Sequence, residues 1–166
     1  MERPTILHQN AVKRILRYVK GKIDMGLVYT KESQNNVLMG YSDSDLAGHV
    51  EDRKSTGGMA FYLNESFITW VSQKQRCVAL SSCETEFMAA TAPACQAIWL
   101  RNLLSQITGQ TMGPVTLFID NKSAIDLAKN PVFHDRSKHI NIRCHFIREC
   151  VKKGEIIVKH VSTIDR

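Results

Sequence analysis

No run in this 166-residue chain approaches the roughly 18 consecutive apolar residues that a membrane-spanning helix needs. The opening, MERPTILHQNAVKR, lacks an apolar stretch after its charges, so it does not have the build of a secretory signal. Only 4 prolines and 9 glycines occur, which excludes a collagen-like rod and a Pro/Gly-rich linker. The five cysteines (Cys77, Cys83, Cys95, Cys144, Cys150) are odd in number and never spaced CxxC, against a disulfide framework or zinc ribbon. They read as reduced, mostly buried thiols, which implies an intracellular, reducing compartment, cytoplasm or nucleus. A zinc site strung from His134, His139, Cys144, His145 and Cys150 is disfavoured on the same spacing.

Acidic residues are in deficit. Sixteen Asp and Glu against 22 Lys and Arg leave a net charge of +6, which favours a polyanionic partner, nucleic acid before an anionic membrane surface. Hydrophobic residues at 43% and charged ones at 23% are the balance of a soluble globular domain, and the length is enough to bury a core without staples.

Along residues 9–20, QNAVKRILRYVK, the spacing puts Ala11, Val12, Ile15, Leu16 and Val19 on one helical face, with Lys13, Arg14, Arg17 and Lys20 elsewhere and Gly21 as the stop. A polar linker, KESQNN at 31–36, then marks a boundary, dividing the chain into 1–36 and 37–166. VLMGYSD (37–43), STGGMAFYLN (55–64) and SFITWVSQ (66–73) predict an antiparallel meander, the last two joined as a hairpin at Asn64-Glu65. A long helix is expected from about Ser81, with Ser81 or Ser82 as N-cap and Glu84 and Glu86 in its first turns. Pro93 inside it deletes the bond to the Ala89 carbonyl and predicts a kink. VTLFID (115–120) has the near-continuous apolar character of a buried strand, and NKSAIDLAKN starts a helix directly after it. A further helix over about 137–153 carries Ile140, Cys144, Ile147 and Val151 on one face, and EIIVKHV (155–161) is the final strand. The order implies an α/β fold with a five-stranded mixed sheet, antiparallel first and parallel later, flanked by helices. Trp70 and Trp99 are expected as core or half-buried packing, with a nucleic-acid groove as the other role for Trp70. His160, alternating with Ile156 and Val158, is expected to be packed.

Chemistry is carried at the element ends. Asp43 ends the first strand, with Asp45 two residues on and on the same side; Glu84 and Glu86 open the long helix; Asp120 closes the buried strand. In an open α/β sheet the carboxyl ends of parallel strands are where sites form. Carboxylates converging there repel unless a cation lies between them, and hard oxygen donors suit Mg²⁺. The alternative roles for these acids are strand-end caps and helix-dipole partners, and spacing alone leaves both open. Two cations about 4 Å apart can clamp a phosphodiester, so a basic domain with an acidic pocket suggests a nuclease or polynucleotidyl transferase.

The ordered motifs GYSDSDLAG, DRKSTGG, ITWVSQKQ, VALSSCETEFMAAT, IDNKSAIDLAKNP and RSKHINIRCHFIRE resemble the RNase H domain of copia-type retrotransposon polyproteins from about Leu38 onward. HQNAVKRILRYVKG with GLVY resembles the tail of the reverse transcriptase region that precedes it. The resemblance implies an RNase H-like fold and metal-dependent hydrolysis of the RNA strand of RNA–DNA hybrids, with Mg²⁺ or Mn²⁺ as cofactor. Its implied partners are the hybrid and the reverse transcriptase region of the same polyprotein, and no membrane. Asp43 matches the aspartate that bridges both metals, Glu86 the glutamate that holds one near the substrate, and Asp120 the aspartate of the metal that activates water. Asp45 and Glu84 are the neighbouring alternatives. Lys138, His139 and Arg143 would contact the substrate backbone, with His145 and Arg148 nearby; capping and a solvated helix face are the equal alternative. The family's fourth carboxylate, in an Ala-Asp pair after the last strand, is not reached in HVSTIDR, and Asp165 matches a residue upstream of that pair. The expectation is a domain truncated at its C-terminus, or one that naturally lacks this ligand. Leu46, His49 and Pro93 also depart from the family pattern. An inactive remnant that binds nucleic acid or packs on a reverse transcriptase, and a DNA-directed transferase on the same fold, are the competing expectations.

Overall fold

The computed structural model describes residues 4–29, 36–45, 48, 52–76, 78–79, 82–129 and 138–162, with the side chains of 82–84, 87, 123, 127–129 and 138–144 outside that description. The chain forms two compact units, Met1–Lys31 and Glu32–Arg166.

The first unit is built on helix α1, Ile6–Lys20. Thr5 caps it: its hydroxyl accepts from the His8 amide at 3.4 Å, while the His8 ring nitrogen Nδ1 accepts from the Thr5 amide at 3.0 Å. That is a capping box with histidine in the place usually taken by Glu or Gln. Arg17 and Lys20 lie in the last turn, where cations suit the helix dipole. None of its residues is buried, and Ile15, Leu16 and Val19 are exposed.

The second unit contains strands β1 (Leu38–Asp45), β2 (Thr56–Leu63), β3 (Ser66–Lys74), β4 (Val115–Ile119) and β5 (Ile156–His160), and helices α2 (Ser82–Thr108), α3 (Lys122–Lys129) and α4 (Lys138–Lys152). The sheet order is β3-β2-β1-β4-β5, antiparallel across β3-β2-β1 and parallel across β1-β4-β5. Asn64 makes the tight β2–β3 connection possible, with a left-handed φ of 56° that asparagine tolerates. Its Oδ1 also accepts from the Val37 amide at 2.9 Å, holding the entry to β1.

One face of the sheet packs on the helices. Leu38, Phe61, Val115, Leu117, Ile119, Ile156 and Val158 meet Ala90, Ala94, Ala97 and Leu100 of α2, together with Ala124, Ile125, Ile147 and Cys150. Alanines at 90, 94 and 97 follow helical spacing and let the long helix lie close to the central strands. Gly40 is required in the same layer, because a Cβ there would lie 2.6 Å from both Leu117 Cδ2 and Phe61 Cε1. Pro93 does not end α2: the helix runs through it, and its ring is fully buried.

The opposite face carries a run of touching rings, Phe118–Tyr41–Tyr62–Phe67–Trp70, with neighbouring centroids 4.9, 5.7, 5.0 and 5.3 Å apart. This corrects the expectation for the tryptophans. Trp70 is 63% exposed and Trp99 is 56% exposed. Trp70 pairs with Ala60, in register on the face away from the helices, and Trp99 sits between the core-facing Ala97 and Leu100 but points outward. The cysteine expectation holds for Cys150, which is buried and free, but Cys95 is exposed.

Candidate metal centre

The parallel register sets the site. Ser42 of β1 lies beside Ile119 of β4, so Asp43 and Asp120, each the next residue, come together where that parallel pairing ends. Asp43 does not end β1 as expected, because pairing with β2 carries the strand on to Asp45. Glu86 arrives from the first turns of α2, whose start is tied to the end of β3 by the Gln75 side chain donating to the Thr85 carbonyl at 3.2 Å. Asn121 holds the other side. Its Oδ1 accepts from the Ala124 amide at 3.0 Å and its carbonyl from the Ile125 amide at 3.2 Å, so α3 begins directly behind Asp120.

One carboxylate oxygen from each of Asp43, Glu86 and Asp120 lies within 4.8 Å of the others. Among the described residues no other three His, Cys, Asp or Glu side chains converge in this way. Asp43 is exposed, Asp120 half-buried and Glu86 buried. Burial pushes the Glu86 carboxyl up to about 7, the charges of Asp120 and Asp43 push the same way, and Ser44 beside it offsets part of the rise. Glu86 Oε2 is buried without a hydrogen-bond partner. Hard oxygens, mutual repulsion and an orphaned buried carboxylate oxygen are what a divalent cation would satisfy, so the donor set fits one.

Asp45 does not join the cluster. Its Oδ1 accepts from the Thr56 amide, closing the far end of the β1–β2 pair. The side chains of Glu84, Lys138, His139 and Arg143 lie outside the described residues, although 138, 139 and 143 fall within α4. Leu46, His49 and Asp165 are likewise outside them. His145 is exposed and 3.7 Å from Glu149 one turn on. His160 is a correction. The alternation placed it with Ile156 and Val158, but it is the last residue of β5, and its exposed ring reaches the Asp120 carbonyl, with Nε2 at 3.0 Å. No motif signalled that contact, since it depends on the β4–β5 register that sets Ile119 beside His160.

The Pol polyprotein of transposon RE2 of Arabidopsis thaliana is 41% identical over 166 residues, covering 100% of this chain and 11% of that protein. That of transposon TNT 1-94 of Nicotiana tabacum is 40% identical over 163 residues, 98% of this chain and 12% of that protein. Over essentially its full length, the chain is homologous to a segment of retrotransposon Pol polyproteins. It spans about a tenth of the length of these Pol polyproteins. A shorter match, 46% identical over 97 residues, joins 58% of this chain to 68% of the secreted RxLR effector protein 161 of Plasmopara viticola. No family model matches the chain.

Among solved structures, the N-terminal RNase H domain of a Mycobacterium tuberculosis protein superposes with a TM-score of 0.54 at 10% identity, covering 78% of this chain and 85% of that one. LC11-RNase H1, solved in complex with an RNA/DNA hybrid, gives 0.53 at 8% identity over 76% and 86%. The foamy viral protease–reverse transcriptase, solved with double-stranded DNA, gives 0.52 at 13% identity over 96% and 30%. The chain therefore has the RNase H-like fold anticipated from its motifs.

Proposed function

We propose that the second unit of this chain is a ribonuclease H that hydrolyses the RNA strand of RNA–DNA hybrids. The observation that carries this is the convergence of Asp43 in β1, Glu86 in the first turns of α2 and Asp120 just after β4, where the parallel pairing of β1 and β4 ends. The fold and the Pol relatives support a nuclease-type activity on the same side. Asp43, Glu86 and Asp120 would hold Mg²⁺, with Mn²⁺ as the substitute. The cation, when bound, supplies charge neutralisation at the scissile phosphate and activation of water.

The protein's own groups do the rest. Asp43 and Asp120 each follow the last residue of the β1–β4 pairing, Ser42 and Ile119, and their carboxylate oxygens lie within 4.8 Å of one another, so the donors would be brought together before substrate arrives. Glu86, deprotonated in the loaded state, supplies the third negative charge from a buried position. Lys138, His139 and Arg143 on α4 would hold the phosphate backbone, and the 2′-hydroxyl and helix shape would select the hybrid without reading base sequence. Hydrolysis would leave 5′-phosphate and 3′-hydroxyl ends. Residues 1–36 would be the tail of a reverse transcriptase region, and that region of the same polyprotein the partner.

The test is a panel of labelled RNA–DNA hybrid, duplex DNA and duplex RNA with Mg²⁺. Only the hybrid should be cut, and Asp43→Asn should abolish cutting while leaving hybrid binding in place. Cleavage of duplex DNA at a comparable rate, or undiminished cleavage by Asp43→Asn, refutes the proposal.

A further inference from the structure

We propose that His160 is a positioning residue for Asp120, setting the direction of its carboxylate through the main chain; this rests on the metal-centre reading above.

Asp120 lies in a gap between two pieces of regular structure. Ile119 is the last residue of β4, and its carbonyl accepts from the Val161 amide at 3.1 Å. Asn121 is already engaged in starting α3, through the bonds from the Ala124 and Ile125 amides. The Asp120 peptide carbonyl therefore falls beyond the regular ladder, and the His160 ring takes it up at 3.0 Å. A carbonyl oxygen only accepts, so Nε2–H donates, and both the neutral Nε2–H tautomer and the imidazolium offer that proton. The contact thus does not depend on the charge of the ring.

Geometry makes the contact consequential. Strand pairing at Ile119 sets the chain entering Asp120, and the bond to its carbonyl sets the peptide plane leaving it. With both fixed, the Cα–Cβ direction of Asp120 is fixed too, and with it the approach of its carboxylate to Asp43 and Glu86. The side chain of His160 thereby adds one more rung to the β4–β5 pair, at the position where the site needs it. The ring is exposed, so it contributes little to the core, and an apolar substitute would be tolerated structurally.

The experiment is calorimetric titration of Mn²⁺ alone into the full chain, comparing wild type, Asp120→Asn, His160→Phe and His160→Gln. Thermal unfolding without metal is measured alongside. Asp120→Asn should weaken binding more than about 10-fold. His160→Phe should weaken it by about 3- to 10-fold at an unchanged unfolding midpoint, and His160→Gln, with an N–H at similar reach, should restore it to within about 2-fold. Wild-type affinity in Asp120→Asn would refute the metal-centre reading itself. Weak binding in Asp120→Asn but wild-type affinity in His160→Phe would overturn the role of His160 alone. Equal loss in the Phe and Gln variants would overturn it as well, because the donated hydrogen bond would then not be what matters.

Discussion

Glu86 makes the stability of the metal-free protein depend on pH in an unusual direction. Most carboxylates are stabilised by folding and lose that contribution as pH falls. Glu86 is the reverse: burial, reinforced by the charges of Asp120 and Asp43, raises its folded pKa from 4.5 to about 7. Between those values the native state binds more protons than the unfolded one, so the contribution of Glu86 is fully present below about 4.5 and is lost as pH rises through about 7. A shift of this size corresponds to at most about 3 kcal/mol. Urea unfolding in chelator, at steps from pH 4.5 to 8.5, should show this loss as the difference between wild type and Glu86→Gln. The variant has no charge to bury, so its advantage should grow with pH and level off above about 8. A divalent cation should remove most of the difference at pH 8, because it offsets the charge that the apo site cannot. A wild-type curve parallel to that of Glu86→Gln across the whole range would refute the electrostatic account of the site.

Gly40→Ala should destabilise the protein by about 1–3 kcal/mol in the same urea assay, since the added methyl meets the rigid Phe61 ring and buried Leu117 at 2.6 Å; a neutral result would show that this layer has room. Asn121→Ala removes the cap of α3 and should cost about 1 kcal/mol, read from the thermal midpoint, with no change in the far-ultraviolet spectrum beyond the loss of a turn. Hybrid binding should weaken linearly in log–log form as salt rises, measured by fluorescence anisotropy, because phosphate contacts by a chain of charge +6 release counterions.

The architecture was legible because each element carries its own period. The aromatic and β-branched runs at 55–64 and 66–73, the apolar run at 115–120 and the serines and acids that open α2 each specify one kind of structure, and the observed strands and helices follow them to within a few residues. Position at element ends made the acids candidates and left capping roles open, and it was the motif resemblance that singled out Asp43, Glu86 and Asp120 over Asp45 and Glu84. What lay beyond local pattern was register. Asp43 and Asp45 share a side of the strand, and only the pairing with β2 shows that Asp45 is occupied by the Thr56 amide while Asp43 turns to the cluster. Trp70 was expected to be core or half-buried, yet which face of a strand meets the helices is decided by neighbours far off in sequence, and its ring is exposed. His160 shows the same limit: the period placed the residue correctly along β5, but the partner of its ring is 40 positions away. Pro93 does not interrupt α2, since a proline costs a helix one hydrogen bond and the packing of Ala90, Ala94 and Ala97 on the sheet supports the helix on both sides of it.

The most direct test of the central claim is cleavage of a labelled RNA–DNA hybrid by this chain in Mg²⁺, side by side with Asp120→Asn. If Asp43, Glu86 and Asp120 form the metal centre of a ribonuclease H, wild type cuts the RNA strand to products with 5′-phosphates and the variant does not. Binding of the hybrid without cleavage in either Mg²⁺ or Mn²⁺, or equal cleavage by both proteins, would contradict it.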